Sequence, residues 1–145
     1  MSRQHAGAGS DDGILWLVWE AYQHTRRAID EAVHPYGVTA AQLGVLVRLN
    51  RSRAGLTGAE VARQMVITPQ AAHAVLTALE HKGLVDRAQD PQHGRLVRAT
   101  CTAEGQGVVR SCRTALRGVE EQLESPLDPR ERARLSALLR SYLGG

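Results

Sequence analysis

Apolar residues recur at helical steps from Ile14 to Val33: Leu15, Val18, Tyr22, Ile29 and Val33 form one stripe, and Trp16, Leu17 and Trp19 make the first turns apolar nearly all round. Such a helix requires burial on several sides. Residues 1–13, rich in Gly, Ser and Asp, read as a mobile tail in which Ser10 or Asp11 could cap this first helix. His34-Pro-Tyr-Gly37 should stop the helix, because a residue before proline is pushed out of the helical region and glycine accepts a left-handed turn.

Thr39-Ala-Ala-Gln42 has the form of a capping box, predicting a second helix to about Arg51. Leu56 can add a short extended segment before a second box, Thr57-Gly-Ala-Glu60, opens a short helix to Met65. Thr68 then caps a helix with Pro69 at its first position, where the missing N–H costs nothing, and Gly83 ends it. Only Val66 and Ile67 separate these two helices, the tight connection of a helix-turn-helix. Leu84–Arg87 and Leu96–Cys101 read as the strands of a hairpin with the long polar tip Ala88–Arg95. Thr102 caps a fifth helix to about Glu124, in which Gly105, Gly107 and Gly118 each cost ~1 kcal/mol relative to alanine. Asp128-Pro129 starts a last helix with Leu135, Leu138, Leu139, Tyr142 and Leu143 on one face. The predicted fold is mostly α with one small β-hairpin, residues 14–145 forming a single domain.

Composition adds two asymmetries. The 145 residues are 43% hydrophobic and 23% charged, as in soluble globular proteins. Of 18 basic residues 17 are arginine, Lys82 being the single lysine. Residues 39–101 carry a net charge of +4 and the rest −1. Of five aromatic residues, Trp16, Trp19, Tyr22 and Tyr36 fall within the first 36 positions. No apolar run approaches the ~20 residues of a membrane span, and the N-terminus lacks the apolar core of a signal peptide, so a cytoplasmic protein without a membrane partner is expected.

On the helix after Thr68, Ala71, Ala72, Val75, Leu76 and Leu79 fill one side, and Gln70, His73, Ala74, Thr77 and His81 the other. The polar side carries short hydrogen-bonding groups suited to base edges: glutamine can pair with adenine, and threonine can bond or touch a thymine methyl. A small solvated helix face is the competing reading. The order helix, tight turn, helix, hairpin is that of a winged helix-turn-helix. Together with Leu43-Gly-Val-Leu46, Leu56-Thr-Gly-Ala-Glu-Val-Ala62, Ile67-Thr-Pro-Gln70, Leu79-Glu-His-Lys-Gly-Leu-Val85, Asp90-Pro, Arg95-Leu-Val-Arg98 and Thr102-Ala-Glu-Gly105, it resembles the MarR family of bacterial transcription regulators over nearly the whole chain.

That resemblance implies a homodimer whose first and last two helices interlock, with two recognition helices in successive major grooves of double-stranded DNA. It places Thr68, Gln70, His73, Ala74 and Thr77 toward the groove and Arg95 as the wing arginine of the minor groove. Arg87 and Arg98 would touch phosphates or pair with Asp86 and Asp90. Two positions depart from the family pattern. Ala74 stands where many relatives carry arginine, and His93 where they often carry an acid that helps hold an arginine, implying a looser or pH-responsive wing.

The resemblance also implies a small aromatic or phenolic effector between the dimer helices and the DNA-binding lobe. Trp16, Trp19, His24, Tyr36 and Met65 are the expected ligand-binding residues, with Tyr22, Arg26, Arg27 and His34 nearby; Trp16 and Trp19 could equally be dimer core. No cysteine precedes Cys101, which disfavours the family's peroxide-sensing mechanism, and Cys112 sits among apolar helix positions as a buried residue would. The six histidines form no i, i+4 pair, so no metal is expected. No cofactor is expected either, and no nucleotide loop, nucleophile elbow or metal dyad points to an enzyme. A MarR-fold interaction or ligand-binding protein without specific DNA binding, or an enzyme on this fold, are the alternatives to a DNA-binding repressor.

Overall fold

A computed structural model describes residues 13–144; Ser10, Asp11 and the rest of the expected tail before Gly13 lie outside them. The elements run α1 (Ile14–Val33), a 3₁₀ turn (His34–Tyr36), α2 (Ala40–Arg51), β1 (Leu56–Thr57), α3 (Gly58–Met65), α4 (Pro69–His81), β2 (Val85–Gln89), β3 (Val97–Cys101), α5 (Ala103–Glu124) and α6 (Pro129–Tyr142). Helix α1 starts at Gly13 without a side-chain cap. The α-helix stops at Val33 as expected, and Gly37 takes the expected left-handed turn at φ 73°, its N–H donating to the His34 carbonyl; only His34 differs, staying helical at φ −50° and ψ −43° although it precedes Pro35.

The capping boxes at Thr39 and Thr57 are both formed, each threonine accepting from the amide three residues on while Gln42 or Glu60 accepts from the threonine amide. Thr68, Thr102 and Asp128 cap α4, α5 and α6 in the same sense. The turn between α3 and α4 passes through Val66 at φ 54°, a left-handed conformation that is costly for a β-branched residue.

The sheet has the order β1-β3-β2, all antiparallel, with Leu56 opposite Ala99 and Arg87 opposite Ala99 from the other side. The hairpin is longer than predicted, because Ala88 and Gln89 continue β2 to pair with Arg98 and Val97. Leu43, Leu46, Leu49, Val61, Leu76, Leu79 and Val85 form the core between α2, α3, α4 and the sheet, and Val33, Val109 and Cys112 extend it under α1 and α5. Gly105 is needed where it stands: a Cβ there would collide with the Leu84 carbonyl oxygen and crowd Cys101 Sγ, so its cost in helix propensity comes with close packing of α5 on the wing.

The two ends of the chain behave differently. Trp16, Trp19 and Tyr22 on α1 and Leu138, Leu139 and Tyr142 on α6 are all exposed, Tyr142 to 67%. The burial expected of the first helix is therefore not supplied by the other described residues.

Candidate nucleic-acid interface and effector cleft

Helix α4 owes its orientation to Ala72, Leu76 and Leu79, which are buried, leaving Gln70, His73 and Ala74 exposed on the outer face as the periodicity predicts. Thr68 is exposed at its start. Its hydroxyl accepts the Ala71 amide as the N-cap, so part of its hydrogen-bonding capacity is spent on the helix. Thr77 is less free than predicted. Arg87 Nη2 donates to Thr77 Oγ1 at 2.9 Å and to Glu80 Oε2 at 2.6 Å, while Arg87 Nε donates to the same carboxylate at 2.9 Å. The expected pairing of Arg87 with Asp86 or Asp90 is thus replaced by one with α4, since neighbouring residues on a strand point to opposite faces. Chelated in this way, Arg87 welds the wing to the recognition helix.

Arg98 is also turned inward. Its Nε donates to Asp90 Oδ2 at 2.6 Å, and its Nη1 donates to the Gly55 carbonyl at 3.3 Å and Glu60 Oε2 at 3.4 Å. Asp90 is 8% exposed and also accepts the amides of Gln92 and His93 through Oδ1. The Arg98 guanidinium first, and the Gln92 amide next, hold the Asp90 carboxyl below its ordinary range. Glu60 is lowered chiefly by the Thr57 amide it accepts, and Arg98 is raised chiefly by its bond to Asp90. The tip closes with Asp90 N–H donating to the Leu96 carbonyl and Leu96 N–H to that of His93. The wing predicted to be loose for want of an acid at position 93 is therefore organised by Asp90, through the backbone of His93.

Arg95, in contrast, is exposed at the tip and has no hydrogen-bond or ion-pair partner among the described residues. The result is an exposed helix face of Gln70, His73 and Ala74 and, at the wing tip, an exposed Arg95 guanidinium.

Behind α4 lies a cleft of about 450 Å³. Tyr22, Thr25, Arg26 and Ile29 form its α1 wall, Ala40 and Ala41 one end, and Met65, Ile67, Ala71 and Val75 the wall contributed by the helix-turn-helix. Of the five residues expected to bind a ligand, only Met65 lines it. Trp16 and Trp19 lie on the turns of α1 before the cleft begins, His24 is two residues and so about 200° around the helix from Tyr22, and Tyr36 belongs to the 3₁₀ turn. The spacing Tyr22, Arg26, Ile29 was visible in the sequence as one helical stripe. Both cysteines are free thiols pushed up in pKa by burial, Cys112 fully enclosed, the opposite of a reactive thiolate.

A capped helix-turn-helix, an antiparallel wing and long flanking helices define a winged helix-turn-helix regulator. A profile described as "MarR family" matches residues 36–96. An HTH-type transcriptional repressor of Mycobacterium tuberculosis is 31% identical over 117 residues, spanning 81% of this chain and 84% of that protein. A mutant MarR of E. coli, solved in complex with operator DNA, superposes with a TM-score of 0.80 at 28% identity, covering 88% of this chain and 91% of that one. Wild-type E. coli MarR in its apo form gives 0.80 at 27% identity over 90% and 97%. The chain belongs to the MarR family of DNA-binding transcription regulators. Among its described residues no helix is long and apolar enough to cross a membrane.

Proposed function

We propose that the protein is a cytoplasmic, ligand-responsive repressor, without catalytic activity, that binds a pseudo-palindromic operator as a homodimer. The observation that carries the reading is the exposed face of Gln70, His73 and Ala74 on α4 together with the exposed Arg95 at the wing tip. Gln70 supplies adenine preference, Ala74 offers only an apolar contact, and Arg95 enters the minor groove. Thr68 adds a contact at the helix start. Thr77, Arg87 and Arg98 act from behind, holding helix and wing in one geometry.

The exposed apolar faces of α1 and α6 fit a second copy of the chain, which would set two recognition helices about one DNA turn, ~34 Å, apart. The α1 wall of the cleft then belongs to the dimer frame and the opposite wall to the DNA-binding lobe. A ligand between them shifts the lobe arrangement by its differential affinity for the two states. An aromatic acid suits the lining, its ring against Tyr22, Ile29 and Met65 and its charge on Arg26.

Selection of bound duplexes from a random pool tests the DNA reading, since it reports binding, palindromy and spacing together. The expected outcome is a pseudo-palindrome with adenines whose selection is lost in Gln70→Ala; recovery of unrelated sequences overturns it. For the cleft, a panel of aromatic acids should include compounds that raise the melting temperature and release DNA, both effects vanishing in Arg26→Ala.

A further inference from the structure

The lone lysine occupies the place where three parts of the frame meet. Lys82 caps the C-terminal end of α4, and its Nζ donates to the Gly37 carbonyl at 2.7 Å and to Gln42 Oε1 at 2.9 Å. Both acceptors are set in advance. Gly37 is the left-handed turn between α1 and α2, and Gln42 Oε1 already accepts the Thr39 amide within the capping box of α2. Close by, the Ala40 amide donates to Asp30 Oδ1 at 2.6 Å, joining α1 to the same helix start. These are the side-chain hydrogen bonds that, among the described residues, tie the end of α4 to the α1–α2 joint. The core that α4 shares with α2 is built of apolar side chains, Leu43, Leu46, Leu76 and Leu79 among them.

The residue type fits this task. An ammonium is a compact centre whose three donors can converge on oxygens from two different elements, whereas the planar fork of a guanidinium presents its donors in one plane. In a chain with arginine at every other basic position, lysine stands where two convergent acceptors lie on one side. Lys82 is also remote from the reading end of its helix. The 13 residues of α4 put its two ends roughly 20 Å apart at 1.5 Å per residue.

We propose that Lys82 is a positioning residue for operator recognition: by pinning the end of α4 to the α1–α2 joint it fixes the angle at which the recognition helix leaves the dimer frame, and hence the half-site spacing the dimer accepts. Gln42 and Gly37 are its partners in this role. The inference rests on the dimeric operator binding proposed above.

The test uses the full-length protein, the operator selected by the parent, and the same duplex with one base pair inserted between its half-sites. Lys82→Met should bind the selected operator about tenfold more weakly, a loss of about 1.4 kcal/mol. Its affinity for the lengthened duplex should change little, so that discrimination between the two falls by the same factor. The salt dependence should match the parent's, and Lys82→Arg should recover only part of the discrimination. Lys82→Gln, which keeps a polar side chain without the charge, serves as a second variant should Lys82→Met fold poorly, and the same loss of discrimination is expected. A drop of ~0.9 in the salt slope would make Lys82 a phosphate contact and overturn the proposal. Equal weakening on both duplexes would make it merely structural, and parent-like affinity for both would leave it no role; either overturns the proposal. A parent that binds DNA without spacing preference would instead sink the dimeric-operator reading, and this proposal with it.

Discussion

The winged half of the molecule and the flanking helices solve the problem of burial in opposite ways. Between Thr39 and Cys101 the buried leucines and valines meet partners of the same chain, and Glu60, Glu80 and Asp90 each hold an arginine. Along α1 and α6, tryptophan, tyrosine and leucine side chains of equal hydrophobic value stay exposed. One half is packed within the chain, and the other is an exposed apolar surface that, in the proposed dimer, would decide where two recognition helices stand. Contiguous apolar faces of this kind mark interaction sites in soluble proteins.

The sharpest way to break this contrast is to charge the exposed apolar side. Leu139→Glu on α6 should convert the dimer to monomer in sedimentation or size-exclusion measurements and weaken operator binding roughly a hundredfold or more, because burying a carboxylate in an apolar interface costs several kcal/mol. Circular dichroism should still report a folded winged half. A variant that remained dimeric would show that α6 lies outside the interface.

The converse experiment disturbs the seam where α5 packs on the winged half. Gly105→Ala drives a methyl group toward the Leu84 carbonyl and Cys101, and overpacking of this kind destabilises by about 1–3 kcal/mol. Urea denaturation should record that loss while the dimer persists.

Arg95→Ala should then change neither fold nor assembly. Its expected signature is weaker operator binding with a salt slope lower by ~0.9, read from mobility-shift titrations at several ionic strengths. An unchanged slope would remove Arg95 from the DNA.

The smallest effect is a pH dependence confined to the wing. The Asp90 carboxyl sits below its ordinary value of 3.8 in the folded state, so the stability it contributes is fully present above that value and is lost as pH falls through the lower, folded one. Wing amides should therefore keep their hydrogen-exchange protection from neutral pH down to about 4 and lose it only in stronger acid. Asp90→Asn should abolish that acid step.

Local chemistry made most of the architecture legible. Threonine caps with Gln or Glu three residues on marked the starts of α2 and α3, and apolar periodicity separated the two faces of α4. What escaped was decided by residues distant in sequence. Nothing near Arg87 announces that Glu80 and Thr77, on the preceding helix, will chelate it, although strand alternation already argued against its neighbour Asp86. The length of the hairpin depended on Asp90 folding into the tip, a role indistinguishable from that of any Asp-Pro turn until Arg98 is placed. In the cleft, the two tryptophans drew attention by size, while the quieter stripe Tyr22, Thr25, Arg26, Ile29 forms the wall.

The two walls of that cleft differ in their freedom to evolve. Ala71 and Val75 are the rear face of the helix whose front carries Gln70 and Ala74, so a change there to suit a new small molecule also moves the groups facing outward. Thr25 and Arg26 stand on α1, away from the recognition helix, although Arg26 also pairs with Asp30 at 3.9 Å. If a ligand occupies the cleft as proposed, a lineage of such proteins could change the molecule it answers to through α1 alone while leaving its DNA sequence preference untouched. New signals could then be connected to old genes by one or two substitutions on a single helix.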